Sequence, residues 1–275
     1  MISLRGVADR LTRRVPSTYR VEGDALSIDG ATKVAVVAQY SPTTTLSRSF
    51  QTLVEALTLH GYYVIVSSTT PGDGELVWPS GRPERVTVLR RPNVGYDFGS
   101  WSVPIKTLAE VRRAPYVLTV NDSLVGPFAD IGPLIHDFES SKEKVWGAVR
   151  SHQFAPHLQS YFVGYRDGVL DQAPLRAFWS GISVQGTKLD VIWKYEIGLS
   201  QLLDRAQIGT DASFDGLDVV GTGINPSIIG WRTLLDRGFP FVKRQLLTEP
   251  DVAPDSADIP AHIEKLYTTE VKTWL

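Results

Sequence analysis

The sequence predicts an α/β fold, a mostly parallel sheet flanked by helices, and three observations carry that prediction. Short, β-branched apolar runs recur along the chain, at Val34–Ala38, Tyr62–Val66, Val86–Leu89, Tyr116–Val120 and Val145–Val149. Continuous apolar runs of this length, bounded by turn residues, read as strands buried on both faces. Between them lie segments whose apolar residues recur at helical spacing, so strand and helix alternate as a doubly wound sheet requires. Polar, turn-forming residues then follow the strands directly, which is where open α/β sheets bind ligands.

The elements follow in order. Leu4, Val7, Ala8 and Leu11 share one helical face beside Arg5, Arg10, Arg13 and Arg14. This basic N-terminal segment reads as a solvated surface helix, with peripheral contact to an anionic membrane as the alternative. "VEGDALSIDGA" reads as a small hairpin, and residues 1–30 form a leader to the domain. After the Val34 strand, Phe50, Leu53, Val54 and Leu57 make one face of a helix. Gly61 suits a left-handed cap at its end. The next strand, Tyr62–Val66, should therefore run parallel to the first through a right-handed crossover. Residues 71–83 are rich in turn formers and read as a loop before the Val86 strand. A helix through Ile105, Leu108 and Val111 leads to Tyr116–Val120, and Ile131–Phe138 is helical. Ser160–Tyr165 is a further strand, Val169–Trp179 is mostly helical, and Leu199, Leu202, Leu203 and Ala206 lie on a helix starting near Glu196. Long loops are expected around Ser151–Gln159 and Gln207–Asn225, a helix over Ile228–Arg237, and a short helix at Ile263–Tyr267. The economical organisation is one domain over 31–249, with a nucleotide half at about 31–150 and an acceptor half at about 151–249, and a tail over 250–275.

Composition removes several function classes. The chain has 275 residues and no cysteine, so it has neither a disulfide framework nor a thiolate metal site. A net charge of −2 argues against a nucleic-acid partner, which would call for a strongly basic domain. No apolar run is long enough to span a bilayer, and the N-terminus lacks the apolar region of a signal peptide. The first strand runs into "QYSPTT", without the glycines of a dinucleotide fingerprint, and no P-loop, nucleophile elbow or H-E-x-x-H occurs. Among the five histidines, only His152 and His157 stand close together, which is a weak metal pair.

What remains is a set of polar residues at strand ends. Asn93, Gly95, Tyr96, Asp97 and Gly99 follow the third strand, and Asn121, Asp122 and Ser123 follow the fourth. In a parallel sheet these loops open on one edge. A nucleoside diphosphate needs backbone N–H groups from glycine-bearing turns, and a cation held by a carboxylate and by the phosphates themselves. Asp122 is the candidate metal and phosphate residue, although Asn-Asp-Ser also suits a plain turn. His157 and Gln159 precede a strand, Glu196 starts a helix, and Lys243 and Arg244 follow an apolar "FPFV".

The segments "RRPNVGYDFGSW", "YVLTVNDSLVGPF", "HLQSYFVGYRDGVL", "YEIGLSQLL" and "NPS…GFPFVKRQLL" together resemble the rhamnan synthesis F family of bacterial glycosyltransferases, in order from about Val34 to Leu247. The resemblance implies a GT-A-like fold, a nucleotide-sugar donor with dTDP-rhamnose foremost, and transfer to a glycan or lipid-linked glycan acceptor. The expected location is cytoplasmic, with the inner face of the membrane as the alternative that the N-terminal basic segment offers. The resemblance also suggests roles. Gln39, Asn93, Gly95, Tyr96, Asp97, Asn121, Ser123 and Lys243 would bind the donor. Asp122 would serve catalysis as ligand to a divalent cation, Mg2+ or Mn2+. Glu196 would be the base of an inverting displacement, and His157, Gln159 and Trp193 would meet the acceptor. The chain departs from the wider pattern at "NDS", which carries one carboxylate where a D-x-D motif has two. A rival expectation is a nucleotide-sugar-binding or regulatory domain without transfer activity.

Overall fold

The structure, a computed structural model, describes residues 14–23, 28–249 and 251–275. The expected N-terminal helix at Leu4–Leu11 lies outside these residues, as does the middle of the expected hairpin.

A nine-stranded sheet forms the centre, in the order β1-β4-β3-β2-β5-β9-β7-β10, with β8 paired to β7. β2 (Lys33–Gln39), β3 (Tyr63–Ser68), β4 (Val86–Arg90) and β5 (Tyr116–Asn121) pair in parallel, as the alternation of runs and helices predicts. β7 (Val145–Ser151) and β10 (Thr210–Asp215) run in the same sense as these four. β9 (Phe162–Arg166) is inserted antiparallel between β5 and β7, and β1 (Arg20–Glu22) is antiparallel on β4. β8 (His157–Leu158) lies inside the segment expected as loop. The sheet is thus antiparallel at the β1 edge, at the inserted β9 and at the short β8.

Side chains alternate between two faces, as strand geometry requires. Ala35, Val37, Val64, Val66, Leu118 and Val120 pack under the helices Arg48–Leu59 and Gly132–Ser140. Val34, Val36, Ala38, Ile65 and Val117 pack on the other side with Phe98, Trp101, Leu175, Trp179 and Leu203 from helices Tyr96–Thr107, Ala173–Ser180 and Gly198–Arg205. Burial on both faces explains why the central strands read as unbroken apolar runs. Ser47 caps the first helix, accepting from Phe50 N at 3.3 Å, and Gly61 closes it at φ 85°. The helical segment through Val111 divides after Thr107 into a second, short helix at Ala109–Arg113.

β10 replaces part of the loop expected over Gln207–Asn225. Its sequence, TDASFD, has no apolar run, and only Phe214 is buried, because it is an edge strand held by its parallel ladder to β7. Beyond Asp215 the chain forms the helix Trp231–Asp236 and a two-stranded sheet, β6 (Leu124–Val125) with β11 (Val242–Lys243). A third apolar cluster joins these to the C-terminal segment: Val125, Trp231, Leu235, Val242 and Leu246 pack with Ala253, Ile259, Ile263, Val271 and Trp274. The carboxyl ends of β2, β4 and β5 and the β6–β11 ribbon all meet at one edge.

Candidate active site

A cleft of about 850 Å3 opens at that edge. Its floor is the end of β5. Asn121 ends the strand, and its Oδ1 accepts from Ser123 N at 3.2 Å and Ser123 Oγ at 2.6 Å. The turn after the strand is therefore made by Asn121, and the Asp122 carboxylate is left for other partners. Asp122 Oδ2 accepts from Tyr40 N at 2.7 Å, and Asp122 O accepts from Arg244 Nε at 3.2 Å. Burial pushes the Asp122 carboxyl up to about 7, the Tyr40 N–H works against that, and the nearby Asp97 charge adds to it.

Asp97 comes from the first turn of the helix Tyr96–Thr107, which follows β4. Asn121 Nδ2 donates to Asp97 Oδ2 at 2.7 Å, so one asparagine ties the two segments together. Burial pushes the Asp97 carboxyl upward as well, with the Asn121 bond opposing. The single carboxylate of "NDS" thus gains a partner across space. The turn that delivers Asp97 is built on two glycines. Gly95 has φ 86°, and a Cβ there would come within 2.6 Å of Val15 Cγ2. A Cβ on Gly99 would come within 2.6 Å of Val94 O. Tyr96, half-exposed on the cleft wall, also takes a left-handed conformation at φ 54°, which is costly for a bulky residue. Arg91 buttresses the turn from behind, donating to Ser100 Oγ at 3.0 Å and Val94 O at 2.7 Å.

Three expected donor residues do not line this cleft. Gln39 is buried, its Oε1 accepting from Ser68 Oγ at 2.6 Å and Thr70 Oγ1 at 3.1 Å. Asn93 lines an adjoining cavity of about 540 Å3 with Thr69, Thr70, Arg90 and Arg91. Tyr40 borders both spaces, so the cavity and the cleft are neighbours across one residue. Gly95 acts through its backbone turn rather than by facing the cleft.

The opposite wall carries Glu196, though not at a helix start. The helical stretch begins at Lys188, capped by Thr187 in a reciprocal arrangement with Asp190, and Glu196 sits in a π-helical turn over Ile192–Ile197. Such turns widen a helix by one residue and recur at functional sites. Glu196 Oε2 accepts from Ser160 N at 2.9 Å and from Ser160 Oγ, and Oε1 lies 3.4 Å from His157 Nε2. Burial pushes the Glu196 carboxyl up, but His157, Lys243 and Ser160 outweigh it and hold the group below its ordinary value. Glu196 is thus the ionised carboxylate of the site, and Asp97 and Asp122 are the two that burial keeps reluctant to ionise.

His157 and Gln159 stand behind Glu196. Gln159 is buried between His157 and Lys243, accepting from Lys243 Nζ at 3.1 Å, and does not line the cleft. Burial pushes the Lys243 amine down while Glu196 draws it up. Trp193 lies outside the lining, half-exposed, with its ring 5.3 Å from that of Phe154, which does line the cleft. Tyr40, Phe154, Ser160 and Lys188 also line the cleft and escaped the sequence analysis. Tyr40, the first residue after a buried strand, could have been found from its position. Lys188 sits in an unremarkable polar run.

Asp97 and Asp122 fit a divalent cation: they are two buried oxygen donors, and a positive ion would relieve the cost of ionising both. No cluster of three or more His, Asp or Glu groups suited to a metal occurs among the described residues, so the remaining ligands would come from phosphate oxygens and water.

Fold and cleft together define an α/β protein with a polar ligand site at the carboxyl edge of its sheet. Residues 85–268 match the family described as rhamnan synthesis protein F, and the chain belongs to that family. The family places it among glycosyltransferases of polysaccharide biosynthesis. It is similar to virulence protein VirA of Vibrio anguillarum, 26% identical over 220 residues, covering 68% of this chain and 70% of that one. It is also similar to the uncharacterized protein y4gN of Sinorhizobium fredii, 27% identical over 154 residues, covering 54% of this chain and 40% of that one. A solved structure described as a glycosyltransferase involved in the glycosylation of the major capsid of PBCV-1 aligns with a TM-score of 0.42 at 13% identity, covering 77% of this chain and 94% of that one. Among the described residues, no helix is long and apolar enough to cross a membrane.

Proposed function

We propose that the protein transfers a sugar, rhamnose from dTDP-rhamnose, to a hydroxyl of a glycan or lipid-linked glycan at the inner face of the membrane, with inversion at the anomeric carbon. The observation that carries this reading is the facing of two kinds of carboxylate across one cleft. Asp97 and Asp122 are tied by Asn121 on one wall, and the ionised Glu196 stands on the other. Family membership supports the donor class, and the family description, which names rhamnan, supports rhamnose as its sugar.

The reaction has two requirements. The departing diphosphate gathers negative charge, and the acceptor hydroxyl must lose a proton. For the first, Lys188, Lys243 and Arg244 line the cleft, and positive groups fixed beforehand cost no reorganisation when charge develops. A divalent cation, when bound by Asp97 and Asp122, supplies further charge neutralisation at the phosphates. The cavity of Thr69, Thr70 and Asn93 would take the nucleoside, with Tyr40 at the passage between nucleoside and diphosphate. For the second, Glu196 is oriented by Ser160 through Oε2 and lines the cleft. Phe154 and Trp193 would offer aromatic faces to the acceptor chain.

A donor screen tests the reading. Purified protein is incubated with dTDP-rhamnose and with UDP- and GDP-sugars, with and without Mn2+ or Mg2+, and released nucleotide is measured. Turnover of one donor, lowered about 100-fold or more in Asp122→Ala, is the expected result. Tight donor binding with no turnover on any acceptor would instead indicate a binding or regulatory domain.

A further inference from the structure

Behind Glu196 lies a chain of polar groups with room for one more proton. Its orientation can be deduced group by group. Lys243 has only donors, so Gln159 must turn its oxygen toward Lys243 Nζ, at 3.1 Å. The Gln159 amide nitrogen is then fixed toward His157 Nε2, at 3.2 Å, and donates to it. On the other side of the ring, His157 Nδ1 lies 2.7 Å from Ala155 O, which can only accept, so Nδ1 carries a proton in either charge state of the ring. In the neutral ring Nε2 is therefore a bare acceptor. It faces Glu196 Oε1 at 3.4 Å, one lone pair against another. A proton on Nε2 makes that contact attractive and gives up the Gln159 bond, because the one Nε2 position either accepts from the amide or donates to the carboxylate. Glu196 Oε2 is already occupied by Ser160 N and Oγ, which leaves Oε1 as the working oxygen. Of the two groups, Glu196 is the more open to the cleft, at 13% side-chain exposure against 2% for His157.

We propose that Glu196 and His157 work as one unit, in which His157 is the positioning residue that holds the proton Glu196 takes from the acceptor. The proposal rests on the reading of Glu196 as base. The acceptor oxygen forms its bond to the anomeric carbon, and the bond from that carbon to the diphosphate breaks with its electron pair going to the phosphate oxygen. The hydroxyl proton passes to Glu196 Oε1 and on to His157 Nε2. The site ends as carboxylate and imidazolium, a net uptake of one proton that is released to solvent after the product leaves. The imidazole nitrogen gives the proton a second resting place, further from the cleft than the carboxylate. The other groups that act on the pair are Lys243, Lys188 beyond it, Asp97 across the cleft and the Tyr161 hydroxyl, which burial keeps protonated.

The test compares His157→Asn and His157→Gln with wild type, using the donor that the screen returns, a rhamno-oligosaccharide acceptor, and dTDP titration for nucleotide affinity. Neither replacement can hold the proton, while the first retains a donor for Ala155 O and the second a polar group near Nε2. Both variants should lose about 100-fold in kcat with dTDP affinity and melting temperature retained. The loss should fall on kcat and leave the acceptor KM unchanged, as removal of a group that acts only in the proton transfer would. Retained kcat, a loss carried by the acceptor KM instead of kcat, or a loss accompanied by an equal loss of dTDP affinity or of melting temperature would each overturn the proposal. Glu196→Gln separates this from the underlying reading. If that variant transfers as well as wild type, Glu196 is not the base. If it is inactive while the His157 variants are normal, only the pairing fails.

Discussion

Asp122 shows how one residue's role depends on its neighbour. Asn121 supplies the turn, so Asp122 can be buried against Tyr40 N with its carboxyl pushed up to about 7. A carboxyl raised in the folded state contributes stability that is fully present at low pH, below the ordinary carboxylate range, and is lost as pH rises through about 7. Asp122→Asn should therefore flatten the decline in melting temperature that metal-free wild type shows on going from pH 5 to about 8. Added Mn2+ should raise the melting temperature of wild type more at the upper end of that range than at the lower, and should do little for the variant. Thermal melts across the series check both statements. At this scale the sequence was informative where residue type at a strand end brings a side chain to the cleft, as with Asn121 and Asp122. It was blind to Gln39 turning inward toward Ser68 and Thr70, because direction off a strand end depends on which partner is nearer.

Among the elements, the buried strands were legible because burial on both faces writes an unbroken apolar run. β10 was not, since an edge strand with one buried side chain draws its stability from backbone pairing that leaves no compositional trace. The π-turn at Ile192–Ile197 was hidden for a related reason: the helical pattern continues through it, and only the geometry shows that Glu196 is interior to the stretch. The loop from Pro92 to Gly99 gives an element-scale prediction. Gly99→Ala forces a Cβ against Val94 O, a backbone atom that Arg91 holds in place. Overpacking of this kind costs about 1–3 kcal/mol. The expected result is a lower melting temperature together with weakened nucleotide affinity, since Asp97 rides on the same turn. A variant that melts earlier but binds nucleotide normally would show that Asp97 does not contact the donor.

At the scale of the whole molecule, the cleft is closed by a part of the chain far from the sheet in sequence. Lys243 and Arg244 reach Gln159 and Asp122 O from the β6–β11 ribbon, and that ribbon is backed by the third apolar cluster. Trp274, near the end of the chain, completes the cluster. Its ring packs edge-on to Phe128 at 5.1 Å, Arg48 stacks over it at 4.3 Å, and its Nε1 donates to Thr269 Oγ1 at 3.0 Å. Truncating a buried tryptophan removes a large apolar area and leaves a cavity, at a cost of about 3–5 kcal/mol. Trp274→Ala should thus lower the melting temperature substantially. It should also loosen Val125 and Val242, and through them Lys243 and Arg244, so that turnover falls even at temperatures well below the new melting point. Trp78, half-buried against the first apolar cluster and outside the third, provides the control: Trp78→Ala should destabilise the fold with a smaller effect on turnover per folded molecule. Equal turnover losses in the two variants, normalised to folded protein, would mean that the C-terminal cluster stabilises the chain without holding the cleft's positive groups in register.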